Sequence, residues 1–371
     1  MDANETIPVS NENNIWSAKD LLRIMYLIFG LLGVFGNGLV IYVFLRVRSL
    51  MNFTNLFIGN QSLIDLVSSI FLLISKYRDE NSDQGQSSLG VGKLKCLFWS
   101  SDYVFWALLA ASTTNLVFLT LERYMALVLP VTYRNRVNWH SAKVAAVFAW
   151  IFGFILQLYW PAVHQWTETS CYPDWRSPLL QAVLGILIFL IKHLIPIMVM
   201  VFVYVGIVMK LNTRISPSLT TTETNKISNQ KRQDEHGSSQ PPKDDSQLND
   251  RQNTEPPVVG RPKGSDLKQS ELHQRVRRNV IKTLLLVGII FTVCWTPNQV
   301  TFLCYNLGIY QLDFNGNVYV FGVLLAFCNI WINPFIYTFK YRKFQQGLRK
   351  IFGLKPSNDS VASASTTIRR G

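Results

Sequence analysis

The chain has 371 residues and a net charge of +13, with 49% of its residues hydrophobic and only 16% charged. This balance is too apolar for an ordinary soluble domain and favours a membrane protein. The five cysteines form no CxxC or Cys/His cluster, which argues against a structural zinc site. Residues 1–22 are polar, lack the pattern of a secretory signal, and contain a glycosylation sequon at Asn4.

Long apolar runs with few charges recur between residues 23 and 339. The first lies between Arg23 and Arg46, and its 22 uncharged residues suffice for one helix across a bilayer. Helices are expected because lipid offers no partners to backbone polar groups. The sequence therefore predicts an all-α membrane protein, a bundle of seven transmembrane helices. The other six spans are predicted at about 53–75, 97–128, 144–163, 179–209, 279–307 and 318–339.

Basic residues near the ends of the spans predict the orientation of the chain. They follow spans one, three, five and seven, whereas the opposite loops are less basic and carry acidic residues such as Asp79, Glu80 and Glu168. By the positive-inside rule, residues 1–22 are extracellular and the C-terminus is cytoplasmic, in the plasma membrane. The net charge then reflects topology and attraction to membrane lipid, and not nucleic-acid binding.

Two segments outside the spans have a different composition. Residues 212–274 are polar and nearly free of aromatics, which predicts a disordered third cytoplasmic loop. In residues 340–371, a short amphipathic helix is expected to follow span seven and to lie on the inner leaflet before a cytoplasmic tail. The apolar face assigned to that helix contains Phe339, Phe344, Leu348 and Ile351.

Special residues stand at particular depths of the spans, and their order is informative. The set resembles the rhodopsin-like (class A) G-protein-coupled receptors, and among them most the neuropeptide receptors. The resemblance covers nearly the whole chain except the long loop and the two tails. The residues that carry it are Gly36-Asn37-Gly38, Asn60, Asp65, Glu122-Arg123-Tyr124, Trp150, Pro196, Tyr204, Phe291, Cys294-Trp295-Thr296-Pro297 and Asn333-Pro334-Phe335-Ile336-Tyr337.

The resemblance implies that Glu122 and Arg123 form a switch at the cytoplasmic end of span three. On activation the arginine is released and packs near Tyr204 and Tyr337, where a heterotrimeric G protein enters. An ion pair that only marks the membrane border is the alternative. The family often has an acid at the position of Arg277, and like charges cannot form that second contact, so we expect measurable basal signalling.

Two further implications concern the interior of the bundle. Pro196, Pro297 and Pro334 bend their helices, as pivots or as passive shape, and the resemblance makes Phe291 and Trp295 a relay to the second bend. Asp65 is a carboxylate at membrane depth, which is costly unless it faces a polar interior. The family places a sodium ion in such a cluster, here Asp65, Ser112, Asn329 and Asn333; an Asp65 satisfied by hydrogen bonds alone is the alternative. No other cofactor is expected.

A disulfide between Cys96 and Cys171 is expected on the oxidising side of the membrane, and the family has this bridge. Cys96 lies slightly further from Arg123 than the family norm, so a bulge near the top of span three is expected. The amine-binding aspartate of amine receptors corresponds to Phe105 when counted from Arg123 and to Tyr103, next to Asp102, when counted from Cys96. Neither is an aspartate, which disfavours an amine ligand. Asp102 is expected to meet a basic group of a peptide or to pair within the protein.

The second unusual charge is Lys192, which lies inside span five beside His193. Three interpretations stay open for the lysine: a counter-charge for an acidic ligand group, an internal pair with Asp102 or Glu168, or a neutral side chain. His193 either contacts ligand or hydrogen-bonds to a neighbouring helix. Span seven lacks a lysine and has Phe327 at the matching place, which argues against an opsin.

The polar pair Asn298 and Gln299 favours a peptide ligand, because peptides carry many backbone groups to satisfy. A small acidic or lipid ligand is the alternative, and a seven-span transporter is a remote one, since no internal repeat is visible. No nucleophile–base set or HExxH motif suggests an enzyme.

Tail residues such as Ser357 and Thr366 offer phosphate sites for an arrestin-like partner. The predicted ligand site comprises Asp102, Phe105, Trp106, Lys192, Trp295, Asn298, Gln299, Phe302 and Phe327.

Overall fold

The computed structural model describes residues 18–77, 89–167, 171–210, 264–309, 311, 313 and 316–354. Within these ranges seven helices are long and apolar enough to cross a membrane, which confirms the predicted bundle. The predicted glycosylation site at Asn4, the acidic residue Glu168 and the serine- and threonine-rich tail lie outside the described residues. The spans, numbered in chain order, are Ala18–Arg46, Phe53–Tyr77, Leu89–Val128 with one break, Trp139–Val163, Pro178–Lys210, Gly264–Asn306 and Asn317–Lys340.

The bundle buries one large apolar cluster and leaves many apolar side chains on its outer surface. Phe35, Leu45 and Phe202 are 72%, 74% and 68% exposed, which suits lipid and not water. Small residues let neighbouring spans approach closely. A Cβ atom on Gly153 of span four would lie only 2.5 Å from the backbone nitrogen of Ala111 in span three.

Several helices begin before the predicted spans. Span three begins at Leu89 and not near 97. The helix of span six begins at Gly264, so residues 264–274 of the predicted loop are helical and not disordered. Their leucine, lysine, glutamine and glutamate residues are good helix formers, although the segment is too polar to cross a membrane. Span four begins at Trp139 and not near 144, because Asn138 and Ser141 form a reciprocal capping box at its start.

Span three is irregular at one end, as its spacing predicts. Cys96–Ser100 form a π-helical turn, and Asp102 has a φ of 53° in the left-handed region before the regular helix Tyr103–Val128 begins. The disulfide between Cys96 and Cys171 is present and joins this turn to a two-stranded hairpin, His164–Trp166 with Cys171–Pro173. The extra residues are therefore absorbed above Tyr103, and counting from Arg123 is valid along the regular helix.

Span five is irregular one turn before its proline. Pro196 has no N–H to donate and crowds the preceding turn, and Leu190–Leu194 accordingly form a π-helical turn. The wider turn lets two consecutive side chains, Lys192 and His193, face the interior.

The short helix after span seven runs over Arg342–Ile351. Its Phe344 packs edge-on against Phe44 of span one, with ring centroids 6.0 Å apart. The assignment of Phe339 to its apolar face is wrong, because Phe339 belongs to the helix of span seven and is 70% exposed. The connection at Tyr341 has extended backbone, so the helical periodicity does not continue across it.

Candidate ligand cavity and signalling core

A cavity opens between spans three to seven on the side of the bundle that carries the disulfide. It contains about 420 Å³ of empty space, part of it open solvent. Aromatic rings form much of its wall, and one lysine and three amide side chains supply polar groups, which is the usual composition of a ligand site. The lining residues are Trp106, Gln157, Tyr159, Trp160, Ile188, Lys192, Asn298, Gln299, Phe302 and Tyr319.

Lys192 reaches into this cavity from the π-helical turn of span five. Its Nζ donates to Gln157 Oε1 at 2.8 Å and lies 5.9 Å from the ring centroid of Trp106. The side chain is only 7% exposed, and no carboxylate in the described part of the chain forms a salt bridge with it. The internal pair with Asp102 is therefore not formed, and Glu168, the other predicted partner, lies outside the described residues. Within the described ranges, the ammonium contacts neutral partners.

Asp102 does not line the cavity. It precedes the regular helix of span three at the N-cap position, on the side of the second-loop hairpin. Burial lowers the pKa of His164 below its usual range, while the hydrogen bond to the Trp160 carbonyl and the negative charge of Asp102 oppose that shift. The negative charge of Asp102 thus acts on His164 of the hairpin and also on Tyr319, which lines the cavity.

Three of the predicted ligand residues are buried in the core and do not line the cavity. Phe105 and Phe327 pack edge-on with ring centroids 4.7 Å apart, and Trp295 contacts Phe291 at 6.0 Å. Trp106 lines the cavity and also contacts Phe105 and Phe327, at 6.1 and 6.4 Å. A molecule that pressed on Trp106 would therefore act on this buried cluster without touching it.

His193 takes the second of its two predicted roles. Its Nε2 lies 3.3 Å from Thr296 Oγ1 of span six, and its ring packs against Phe189 at 5.3 Å. It is buried and does not line the cavity. The contact joins span five to span six beside Pro297.

Sequence reasoning missed several cavity residues, of which Gln157 is the most informative. A glutamine inside an apolar span is itself a signal, because its amide must find a partner there. Its position opposite Lys192 could not be read from either span alone. Tyr159, Trp160, Ile188 and Tyr319 carry no sequence signal beyond their apolar or aromatic character.

Glu122 accepts hydrogen bonds from three different elements at the other end of the bundle. Arg123 folds back and donates from Nε at 2.7 Å and from Nη2 at 3.0 Å. Thr54 of span two donates at 3.1 Å, and Tyr133 of the helix Pro130–Arg136 donates at 2.6 Å. Burial and the neighbouring Glu122 carboxylate raise the pKa of Tyr133, so it stays a donor at neutral pH. The sequence predicted the Glu122–Arg123 pair but neither Thr54 nor Tyr133.

The other predicted switch residues surround this pair at different depths. Tyr124 packs against Phe202 of span five, with ring centroids 6.1 Å apart. Tyr337 is fully buried, and its hydroxyl has no hydrogen-bond partner among the described residues. Tyr204 lies against Gly288 of span six, where a Cβ atom would come within 3.2 Å of its ring. The side chain of Arg277 lies outside the described residues, so the expectation of basal signalling stays a prediction.

The polar cluster around Asp65 does not fit the sodium ion that the resemblance implies. The two carboxylate oxygens accept from Ser112 Oγ at 3.0 Å, from Asn333 Nδ2 at 3.0 Å, and from Gln61 Nε2 at 3.2 Å each. A carboxylate offers about four lone-pair positions, and donors take all of them. Asn333 presents its amide nitrogen to Asp65, and its buried Oδ1 has no hydrogen-bond partner among the described residues. Asn329 contributes a backbone oxygen to the Asn333 nitrogen at 3.3 Å.

The family model "7 transmembrane receptor (rhodopsin family)" matches residues 36–337. The chain belongs to the rhodopsin family of seven-transmembrane receptors. Galanin receptor 2a of Danio rerio is 23% identical over 363 residues, which cover 95% of this chain and 83% of that receptor. Cholecystokinin receptor type A of Cavia porcellus is 25% identical over 364 residues, covering 90% and 81%. Pyroglutamylated RF-amide peptide receptor of Mus musculus is 21% identical over 363 residues, covering 91% and 73%.

Replacing Gln157 with Leu should destabilise the receptor, because it leaves the buried Lys192 ammonium without its hydrogen-bond acceptor. Loss of a hydrogen bond to a charged group costs about 1.5–3 kcal/mol. Lys192→Met in the same chain should recover most of that loss, since no charge is then left unsatisfied. Thermal unfolding of the purified single and double variants measures the effect; additive losses in the double variant would contradict the pairing.

Proposed function

We propose that the chain is a receptor for an extracellular peptide and passes the signal to a heterotrimeric G protein. The observation that supports this most is the pairing of a polar, aromatic-walled cavity at the disulfide end with a buried Glu122–Arg123 switch at the opposite end. The names of the similar receptors given above indicate peptide ligands, which favours the same ligand class here. We also propose that the disulfide end faces outside, where a disulfide persists, and that the Arg123 end is cytoplasmic.

Within the cavity, we propose that an acidic group of the ligand engages Lys192. A buried ammonium that faces only neutral partners gains more from a carboxylate than from the Gln157 oxygen, provided that the carboxylate keeps its other hydrogen bonds. Asn298 and Gln299 then supply amide donors and acceptors for the peptide backbone. Trp106, Trp160 and Phe302 provide apolar area for a side chain of the ligand.

Activation is a population shift between two packings of the bundle. Ligand contact with Trp106 favours one packing of the cluster of Phe105 and Phe327. The side chains near Trp295 then repack, and the helix of span six changes its bend at Pro297. Span six then moves, Arg123 leaves Glu122, and the G protein occupies the space that opens. Ligand and G protein each favour this arrangement, so each tightens the binding of the other. Phosphorylation of the tail and recruitment of an arrestin-like partner belong to the same proposal.

A small acidic or lipid ligand is the second candidate. A compact acid would also place its charged group at Lys192 and its apolar part against Trp106 and Phe302. Under the peptide proposal only one end of the peptide enters the cavity, and the rest lies over the hairpin that Cys171 holds.

The test of ligand class is a calcium and cyclic-AMP screen in cells that express the chain, with a neuropeptide library and a small-acid library in parallel. Each active compound is compared with an analogue whose acidic group is replaced by an amide. On the wild type the amide should bind on the order of tenfold or more weakly, because a charge-assisted contact is lost. On Lys192→Met the acid and the amide should bind alike.

The control for that cycle is Lys282→Met, which removes an exposed lysine from span six. It should leave the preference for the acid unchanged. Responses to small acids alone would overturn the peptide proposal and leave the receptor assignment intact. An unchanged acid preference in Lys192→Met would show that the acidic group binds elsewhere.

Thr54→Val and Tyr133→Phe should each raise ligand-free nucleotide exchange on a G protein several-fold. Each substitution removes one hydrogen bond to Glu122 and so weakens the hold on Arg123. Exchange is measured at matched surface expression, with Tyr172→Phe on the exposed second strand as the control. Unchanged or reduced basal exchange in both variants would contradict the role of Glu122 as the acceptor that restrains the arginine.

A further inference from the structure

A continuous chain of side-chain amides crosses the bundle from span four to Asp65. Trp150 Nε1 donates to Asn60 Oδ1 at 3.0 Å, and Asn60 Nδ2 donates to Asn115 Oδ1 at 2.8 Å. Asn115 Nδ2 donates to Gln61 Oε1 at 2.8 Å. Gln61 Nε2 completes the chain at the carboxylate of Asp65. The path thus links spans four, two and three, and Asn333 extends it from Asp65 to span seven.

The orientation of every amide in this chain is fixed by its first member. An indole N–H can only donate, so Asn60 must present its oxygen to Trp150 and its nitrogen to Asn115. The same requirement passes to Asn115, whose nitrogen is also held by the Phe57 carbonyl at 3.0 Å. Gln61 must therefore present its oxygen to Asn115 and its NH₂ group to Asp65. A flipped Gln61 would turn its oxygen toward Asp65, where it could coordinate an ion. The flip would also place two NH₂ groups against each other at Asn115 and so break the chain.

The NH₂ group of Gln61 occupies the point where the oxygens of the cluster converge. It lies 3.2 Å from both carboxylate oxygens of Asp65 and also donates to Ser112 Oγ. Gln61, Asp65 and Ser112 are all buried, with exposed fractions of 1%, 0% and 1%. A cation at this point would meet the positive end of the amide dipole and would have to displace the amide from three acceptors at once.

We propose that Gln61 takes the place of the sodium ion in this receptor, so that monovalent cations do not regulate it. The amide satisfies Asp65 with hydrogen bonds, and it does so from within span two, on the side chain that also connects to Asn115. These residues lie in the interior of the bundle, and their hydrogen bonds do not depend on which ligand the receptor binds.

The consequence is measurable on the purified full-length receptor without any ligand. Thermal unfolding is followed in sodium chloride and in N-methyl-D-glucamine chloride at equal concentration, which keeps ionic strength constant. An ion that binds only the folded state raises the unfolding temperature with its concentration, on the order of a few degrees at about ten times its dissociation constant. The wild type should unfold at the same temperature in both salts across the titration. A saturable rise with sodium alone would overturn the proposal.

The variant that tests the cause is Gln61→Leu, which removes the amide and leaves the oxygens of Asp65 and Ser112. This variant should gain a sodium-specific, saturable rise in unfolding temperature, and adding Asp65→Asn should abolish it. Gln61→Met, which keeps the side-chain length, serves where the leucine variant does not fold. A folded Gln61→Leu or Gln61→Met receptor that stays indifferent to sodium would show that Gln61 is not what excludes the ion.

Discussion

Polar side chains inside this bundle must find their partners within the protein, because lipid offers none. That constraint produces three buried polar centres, around Lys192, Asp65 and Glu122. Each contains a charged group with at least one described partner from another span or from a neighbouring helix. The apolar cluster fills the space between them and supplies most of the burial, but the polar contacts decide which packing of the helices is compatible with the sequence.

The three centres differ in how completely they are satisfied, and the difference follows their roles in the proposal. Asp65 has donors at all its lone-pair positions, which suits a rigid centre. Glu122 is also well satisfied, but one of its donors is a long arginine side chain that can leave. In the described part of the chain, Lys192 faces an amide and an aromatic ring, so it is the centre where an added ligand changes the balance most. In the function we propose, ligand binding at Lys192 and release of Arg123 from Glu122 are coupled.

Much of this arrangement could be predicted from the sequence. The seven spans followed from charge-free runs, and the bulge above Tyr103 followed from an excess in spacing. The disulfide followed from the side of the membrane together with the family resemblance, and the Glu122–Arg123 contact was implied by that resemblance. The predicted starts of the helices that begin at Gly264 and Trp139 were wrong, because hydropathy reports burial in lipid and not helix length. The assignment of Phe339 to the short helix was wrong, because a break at Tyr341 interrupts the helical periodicity on which the assignment relied.

The partners of the polar centres could not be predicted, and the reason is geometric. Gln157, Thr54 and Tyr133 meet their charges only through the packing of separate helices, and the sequence carries no distance between spans. Gln61 was visible as a polar residue one turn before Asp65. The direction of its amide depends on Trp150, three hydrogen bonds away on another span, and this direction decides whether the cluster suits a cation.

In the function we propose, ligand binding in the cavity and release of Arg123 from Glu122 belong to the same conformational equilibrium. The most direct test is the affinity of the peptide found by screening, measured on receptor in lipid discs with and without nucleotide-free heterotrimeric G protein. Coupling predicts that the G protein tightens binding about 5- to 150-fold and that added GTP analogue reverses it. Equal affinity in both states, with the G protein shown to be bound, would contradict the account.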